Sequence, residues 1–191
     1  MLCIMAAITA TTQPFTYRDL AAMPDDGYRR EIIDGVLTVT PAPAGRHQQV
    51  SFALSKLLDA AAPPGVMVLP APYDWLLPDG GSVEPDLIVF RRDDFDRDGP
   101  LPATATPLLV VEVLSPSGLE HDRSLKRAVY QRLGVPAYWM VGPGTRTDPP
   151  SLTALRLQDS VYVVEAEVAG TECFATDWPY PVQVVPEELL G

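Results

Sequence analysis

The sequence predicts an α/β (α+β) fold, strands and helices mixed in one domain, on three observations. Two short runs, residues 83–90 and 108–114, are apolar and rich in Val, Ile and Leu, as strands buried within a sheet are. Two longer stretches, 46–62 and 120–133, repeat apolar residues at the spacing of a helix with one buried face. Three later runs, 152–157, 161–168 and 181–185, alternate and are β-branched, which suits antiparallel strands.

With 191 residues, 47% of them hydrophobic, the chain can bury a real core. Residues 15–191 read as one domain behind a disordered leader at 1–14. No apolar run approaches the roughly 18 residues that span a bilayer, and the first residues lack the basic start of a secretory signal. Cys3 and Cys173 form no disulfide or metal pattern, which points to a cytoplasmic protein. The net charge of −11 argues against a protein that coats nucleic acid with a basic surface. Its distribution matters more. No Lys or Arg follows Arg156, so the tail contributes −7 while the preceding body, with 14 basic residues against 18 acids, is nearly balanced. Such a body leaves room for a phosphate substrate.

Taken in order, residues 16–23 suggest a short helix capped by Thr16 and stopped by Pro24. Asp34-Gly35 between two apolar runs marks a hairpin, with Glu31 on its entering strand. The helix at 46–62 places Val50, Ala53, Leu54, Leu57 and Ala61 on its buried face. His47 falls in its first turn, where a surface or capping role is the ordinary one; it is carried as a candidate substrate contact. Strands follow at 66–69 and 73–77, and the mixed-sign run 91–99 reads as a solvated loop. The helix at 120–133 buries Leu125, Val129 and Leu133, sets Asp122, Lys126 and Tyr130 on a neighbouring row, and stops at Gly134. Residues 135–141 form another strand, packed through Tyr138 and Trp139.

Asp86 and Glu112 stand out because each acid lies in an apolar strand. An ionised carboxylate there costs on the order of several kcal/mol unless a cation or donors compensate it. Two such acids at strand ends suit a hard divalent ion, which takes few carboxylate oxygens and completes its shell with water. The plainer reading pairs each acid with an arginine.

Six segments in order carry a family resemblance. Glu31-Ile32-Ile33-Asp34-Gly35, Arg46-His47-Gln48, Glu84-Pro85-Asp86-Leu87, Glu112-Val113-Leu114-Ser115-Pro116-Ser117, Lys126-Arg127-Ala128-Val129-Tyr130 and Gly134-Val135-Pro136-Ala137-Tyr138-Trp139 resemble the Uma family of restriction endonucleases. That family lies within the PD-(D/E)XK nuclease superfamily, and the resemblance runs from Tyr17 to about Leu190. It implies a restriction-endonuclease-like fold, a mixed central β-sheet flanked by helices. It also implies hydrolysis of phosphodiester bonds, in DNA, with Mg2+ (or Mn2+). Asp86, Glu112 and the Val113 carbonyl would hold the metal, with Glu31 beside them. The sequence departs from the superfamily at Leu114, where a lysine is expected.

On a strand, the period of two puts Leu114 on the face of Glu112. Lys126, on the helix that follows, is the best replacement cation; the plainer reading is an exposed Lys126–Asp122 pair. Arg46, Arg123 and Arg127, near the first turns of the two helices, are candidate phosphate contacts. Double-strand cleavage by such a domain favours a homodimer. A nuclease fold without catalysis, used for protein binding or dimerisation, is the alternative, and a hydrolase of smaller phosphate esters a third.

Overall fold

The computed structural model describes residues 13–20, 22–115 and 120–191, with residues 120–123 as backbone only. Helix α1 (Tyr17–Leu20) opens at Thr16, whose amide and hydroxyl both donate to Asp19 Oδ2, at 2.7 and 2.9 Å. It is shorter than the sequence suggests because it buries no side chain to sustain it. Strands β1 (Arg29–Ile33) and β2 (Val36–Thr40) form the expected hairpin. Asp34 and Gly35 take the left-handed φ values of 50° and 77° that a tight two-residue turn requires.

Helix α2 (Gly45–Ala61) follows, then β3 (Val66–Pro70), β4 (Trp75–Leu76), β5 (Ser82–Val83) and β6 (Leu87–Arg91). Next come β7 (Leu109–Val113), α3 (Glu120–Arg132), β8 (Ala137–Gly142), β9 (Ser151–Gln158) and β10 (Val161–Ala169). A small hairpin of β11 (Phe174–Thr176) and β12 (Val182–Val184) precedes the last turn; β11 is too short to show in the sequence pattern.

The main sheet has six strands in the order β10-β9-β8-β7-β6-β3, and a smaller sheet runs β2-β1-β5-β4. Among the described strands of the main sheet, only β7 and β8 pair in parallel, so α3 is the crossover that joins them. Gly134, at φ 74°, ends α3, and the Val135 amide reaches back to the Tyr130 carbonyl at 3.0 Å.

The two faces of the main sheet bury different partners. Leu87, Val89, Val111 and Trp139 pack with Val50, Leu54 and Leu58 of α2. On the other face, Ile88, Phe90, Val110 and Tyr138 pack with Val129 and Tyr130 of α3 and with Trp75 and Val83 of the small sheet. Each buried Leu, Ile or Val is worth about 1.5–3 kcal/mol. The α2 stripe is turned relative to the expected one: Ala61 is exposed, and His47, Ser51 and Leu58 are buried instead. No helix among the described residues is long and apolar enough to cross a membrane.

Candidate active site

Strand register brings the two acids together. β6 and β7 pair antiparallel with Leu87 opposite Val111, and one step further along that register sets Asp86 opposite Glu112. Both then point to the α3 face, because Ile88 and Val110 do. Asp86 sits just before β6 rather than inside it. The Val113 amide donates to Asp86 Oδ2 at 2.7 Å, while the Leu114 amide turns the other way, to the Val141 carbonyl. The amide and carbonyl of one strand residue point the same way, so the Val113 carbonyl shares the side of Asp86.

Three further elements close around this pair. From α2, His47 Nε2 lies 3.1 Å from Asp86 Oδ2. From β1, the period of two sends Arg29 and Glu31 to one side. The Arg29 guanidinium bridges Asp86 Oδ1 at 2.8 Å and Glu84 Oε1 at 2.7 Å. Glu31 accepts the Glu84 amide on Oε1 at 2.9 Å. From α3, Lys126 and Tyr130 stand one turn apart. Lys126 Nζ lies 2.9 Å from Glu31 Oε2 and 3.0 Å from Glu112 Oε1, and the Tyr130 hydroxyl donates to the same Glu112 oxygen at 2.7 Å. Glu31, His47, Asp86, Glu112 and Lys126 are all buried, Asp86 to 3% exposure and Lys126 to 5%.

The two central acids are pushed in opposite directions. Burial raises the Asp86 pKa, but the His47 hydrogen bond, the Arg29 and His47 charges and the Val113 amide outweigh it and hold the group at about 2. Burial also raises Glu112; Lys126 and the Tyr130 hydrogen bond oppose this, the charges of Asp86 and Glu31 add to it, and the net effect is a pKa pushed up to about 7. Burial and then the charges of Glu112 and Glu31 push the Tyr130 hydroxyl well above its ordinary value, so it remains a donor. Glu112 therefore carries the unrelieved negative charge of the site.

Residues 16–174 match the sequence profile of Uma2, a family described as "Putative restriction endonuclease". This chain belongs to the Uma2 family. Among solved structures, the Uma2 chain is similar to a "putative nuclease belonging to DUF820" from Anabaena variabilis. The two are 16% identical, the match covers 93% of this chain and 98% of the other, and the TM-score is 0.68. At that identity the likeness establishes the fold, a mixed α+β nuclease fold around the six-stranded sheet. No curated protein matches the chain.

In this Uma2 protein, Glu31, His47, Asp86, Glu112 and Lys126 converge as one site. His47 is a buried partner of Asp86 instead of a surface cap. Lys126 is buried beside Glu112, not exposed; the Asp122 side chain lies outside the described residues. Two of the candidate phosphate contacts, Arg46 and Arg127, are held by backbone carbonyls away from the acids. Arg46 donates to the Pro143 carbonyl at 3.3 Å, Arg127 to the Tyr162 carbonyl at 3.0 Å, and the Arg123 side chain is not among those described. Three participants escaped the sequence reading: Arg29, Glu84 and Tyr130. Glu84 adjoins Pro85-Asp86, and Tyr130 shares the helical row of Lys126; those were the available signals.

Among the described residues, no three His, Cys, Asp or Glu side chains form a ready metal cage. Asp86 and Glu112 offer two carboxylates, with the Val113 carbonyl as a third oxygen. Mg2+ commonly uses only one or two carboxylates and retains water. When all are ionised, the four contacting carboxylates Glu31, Glu84, Asp86 and Glu112 meet two permanent cations, Arg29 and Lys126. The excess of two negative charges matches a divalent ion.

Proposed function

We propose that this Uma2 protein is a divalent-metal-dependent endonuclease that hydrolyses phosphodiester bonds in DNA. The observation that carries this reading is Asp86 facing Glu112 across β6 and β7 with Lys126 on the Glu112 oxygen. Asp86, Glu112 and the Val113 carbonyl are the residues that would hold Mg2+ or Mn2+. Such an ion, when bound, supplies polarisation of the phosphate and a more acidic water.

The chain's own groups do the rest. In the metal-free protein, Arg29, His47 and the Val113 amide keep Asp86 ionised and in place. Tyr130 and Lys126 hold one oxygen of Glu112. Lys126 replaces the lysine absent at Leu114: its ammonium comes from α3 to the end of the strand, where it can orient the attacking water and offset charge growing on the phosphoryl oxygens. Glu31, anchored by the Glu84 amide, positions Lys126. Arg46 and Arg123 supply phosphate contacts, and a homodimer brings two sites to the two strands.

The test is conversion of supercoiled plasmid to nicked and linear forms. The parent protein should cut with Mg2+ and not with EDTA, and Lys126→Ala should lose about 100-fold or more of that rate, as for other lost electrostatic stabilisers of a transition state. A Lys126→Ala protein that cuts like the parent refutes this mechanism. A parent that binds Mn2+ but cleaves only small phosphate esters is a different hydrolase, and one that binds no Mn2+ is a non-catalytic module.

A further inference from the structure

We propose that Arg29 is a displaceable phosphate clamp, which occupies Asp86 Oδ1 in the metal-free protein and turns about Glu84 onto a substrate phosphate once a divalent cation binds. The inference rests on the nuclease reading and adds a residue and a movement to it.

The argument starts from the lone pairs of Asp86. Oδ2 accepts from the Val113 amide at 2.7 Å and lies 3.1 Å from His47 Nε2, and two donors fill a carboxylate oxygen. A cation reaching Asp86 must therefore use Oδ1. That oxygen is held by an Arg29 terminal nitrogen at 2.8 Å. A guanidinium and a divalent ion on one oxygen repel each other strongly in a poorly solvated site. One of them has to leave.

Arg29 can leave without being stranded. Its Nε keeps a second hold on Glu84 Oε1 at 2.7 Å, two residues before Asp86 and separated from it by the stiff Pro85. Rotation about that anchor frees the terminal N–H groups, whose planar fork suits two phosphate oxygens. The Arg29 side chain is 18% exposed, against 6% for Lys126, so a phosphate arriving from solvent meets Arg29 first. Charge balance favours the exchange. With four carboxylates and two permanent cations in contact, an added dication brings the cluster, Arg29 included, to neutrality; the dication replaces Arg29's charge at Asp86 while Arg29 stays on Glu84 and turns its freed N–H groups to an incoming anion.

Calorimetric titration of Mn2+ into the parent and Arg29→Gln proteins reads the first half of the exchange. Binding of a short fluorescent DNA duplex, with and without Ca2+, reads the second. Arg29→Gln should bind Mn2+ about tenfold more tightly or better, and should lose about tenfold of the duplex affinity that Ca2+ confers on the parent. An arginine that only staples Glu84 to Asp86 predicts otherwise: the Ca2+-dependent gain in duplex affinity is kept, whatever the change in metal affinity. Should Arg29→Gln not fold, Arg29→Lys carries the test, since it retains the charge without the fork. Loss of the Ca2+-dependent gain in that folded variant supports the clamp, and retention overturns it. A parent that takes up no Mn2+ brings down the nuclease reading and the clamp together. A parent that binds Mn2+ and nicks DNA, with unchanged metal affinity in Arg29→Gln, brings down the clamp alone.

Discussion

Glu112→Gln should make the metal-free protein more stable at pH 8 and leave its stability nearly unchanged at pH 5. The Glu112 carboxyl rises from 4.5 to about 7 on folding, mainly through burial. A raised carboxylate pKa means that the folded state binds the proton more tightly than the unfolded chain. Its contribution to stability is fully present below pH 4.5 and is lost as pH rises through 7. At 1.36 kcal/mol for each pKa unit, the loss is about 3 kcal/mol above pH 7. Gln remains neutral and escapes it, while below pH 5 the protonated Glu112 is the near equivalent of Gln. For a chain of this size, where 1 kcal/mol moves Tm by about 2–4 °C, the variant should melt about 6–12 °C higher at pH 8. Thermal melts of both proteins in EDTA from pH 5 to 8.5 check this. Adding Mn2+ should then raise the parent's Tm and not that of Glu112→Gln. A variant that melts below the parent at pH 8, or differs from it equally at both ends of the range, refutes the picture of Glu112 as the strained acid.

The other acid behaves in the opposite sense. Asp86 is held at about 2 against an ordinary 3.8, so its ion pairs stabilise the fold above pH 4 and the benefit fades as pH falls toward 2. Asp86→Asn should cost about 2 kcal/mol at pH 7 in denaturant unfolding, with the difference shrinking in acid. Binding of Mn2+ at pH 6 should release about one proton, because Glu112 must ionise to bind; calorimetric heats that do not vary with the buffer's ionisation enthalpy would refute this. Arg127→Ala should lower stability by about 1 kcal/mol through the lost bond to the Tyr162 carbonyl and leave the salt dependence of duplex binding unchanged. A flatter salt slope would instead assign Arg127 to the phosphate backbone.

Local signals were legible in the residues and long-range ones were not. The apolar run of β7, the Asp34-Gly35 turn and the Gly134 stop each depend on neighbours a few positions away and appear where the pattern places them, while the 83–90 run divides into β5 and β6 with Asp86 between them. The pairing of Asp86 with Glu112 depends on register between strands, which composition does not encode; the acids identified themselves only as charges in apolar surroundings. His47 is buried, not a surface cap, because α2 is turned so that its 47–51–54–58 stripe meets the sheet, a rotation set by tertiary packing. Lys126 lies in a row that also holds the polar Asp122, so its burial depended on what faced it from β1. Arg29 gives no sign of its role, since its partners lie on different elements.

The participating side chains come from both sheets and from two helices, and the contact between Arg29 and Asp86 alone spans 57 positions of the chain. No segment holds the site by itself. A chain made only as far as β6 has Arg29, Glu31 and Asp86 but neither the second acid nor the lysine, which arrive with β7 and α3. The cleavage proposed for this site would therefore arise only after the late elements have docked on the early hairpin, and an incomplete or opened chain would leave the nucleic acid around it uncut. The same spread makes the site a sensor of the fold: loosening the small sheet would withdraw Arg29 and Glu31 together while leaving Asp86 and Glu112 in place.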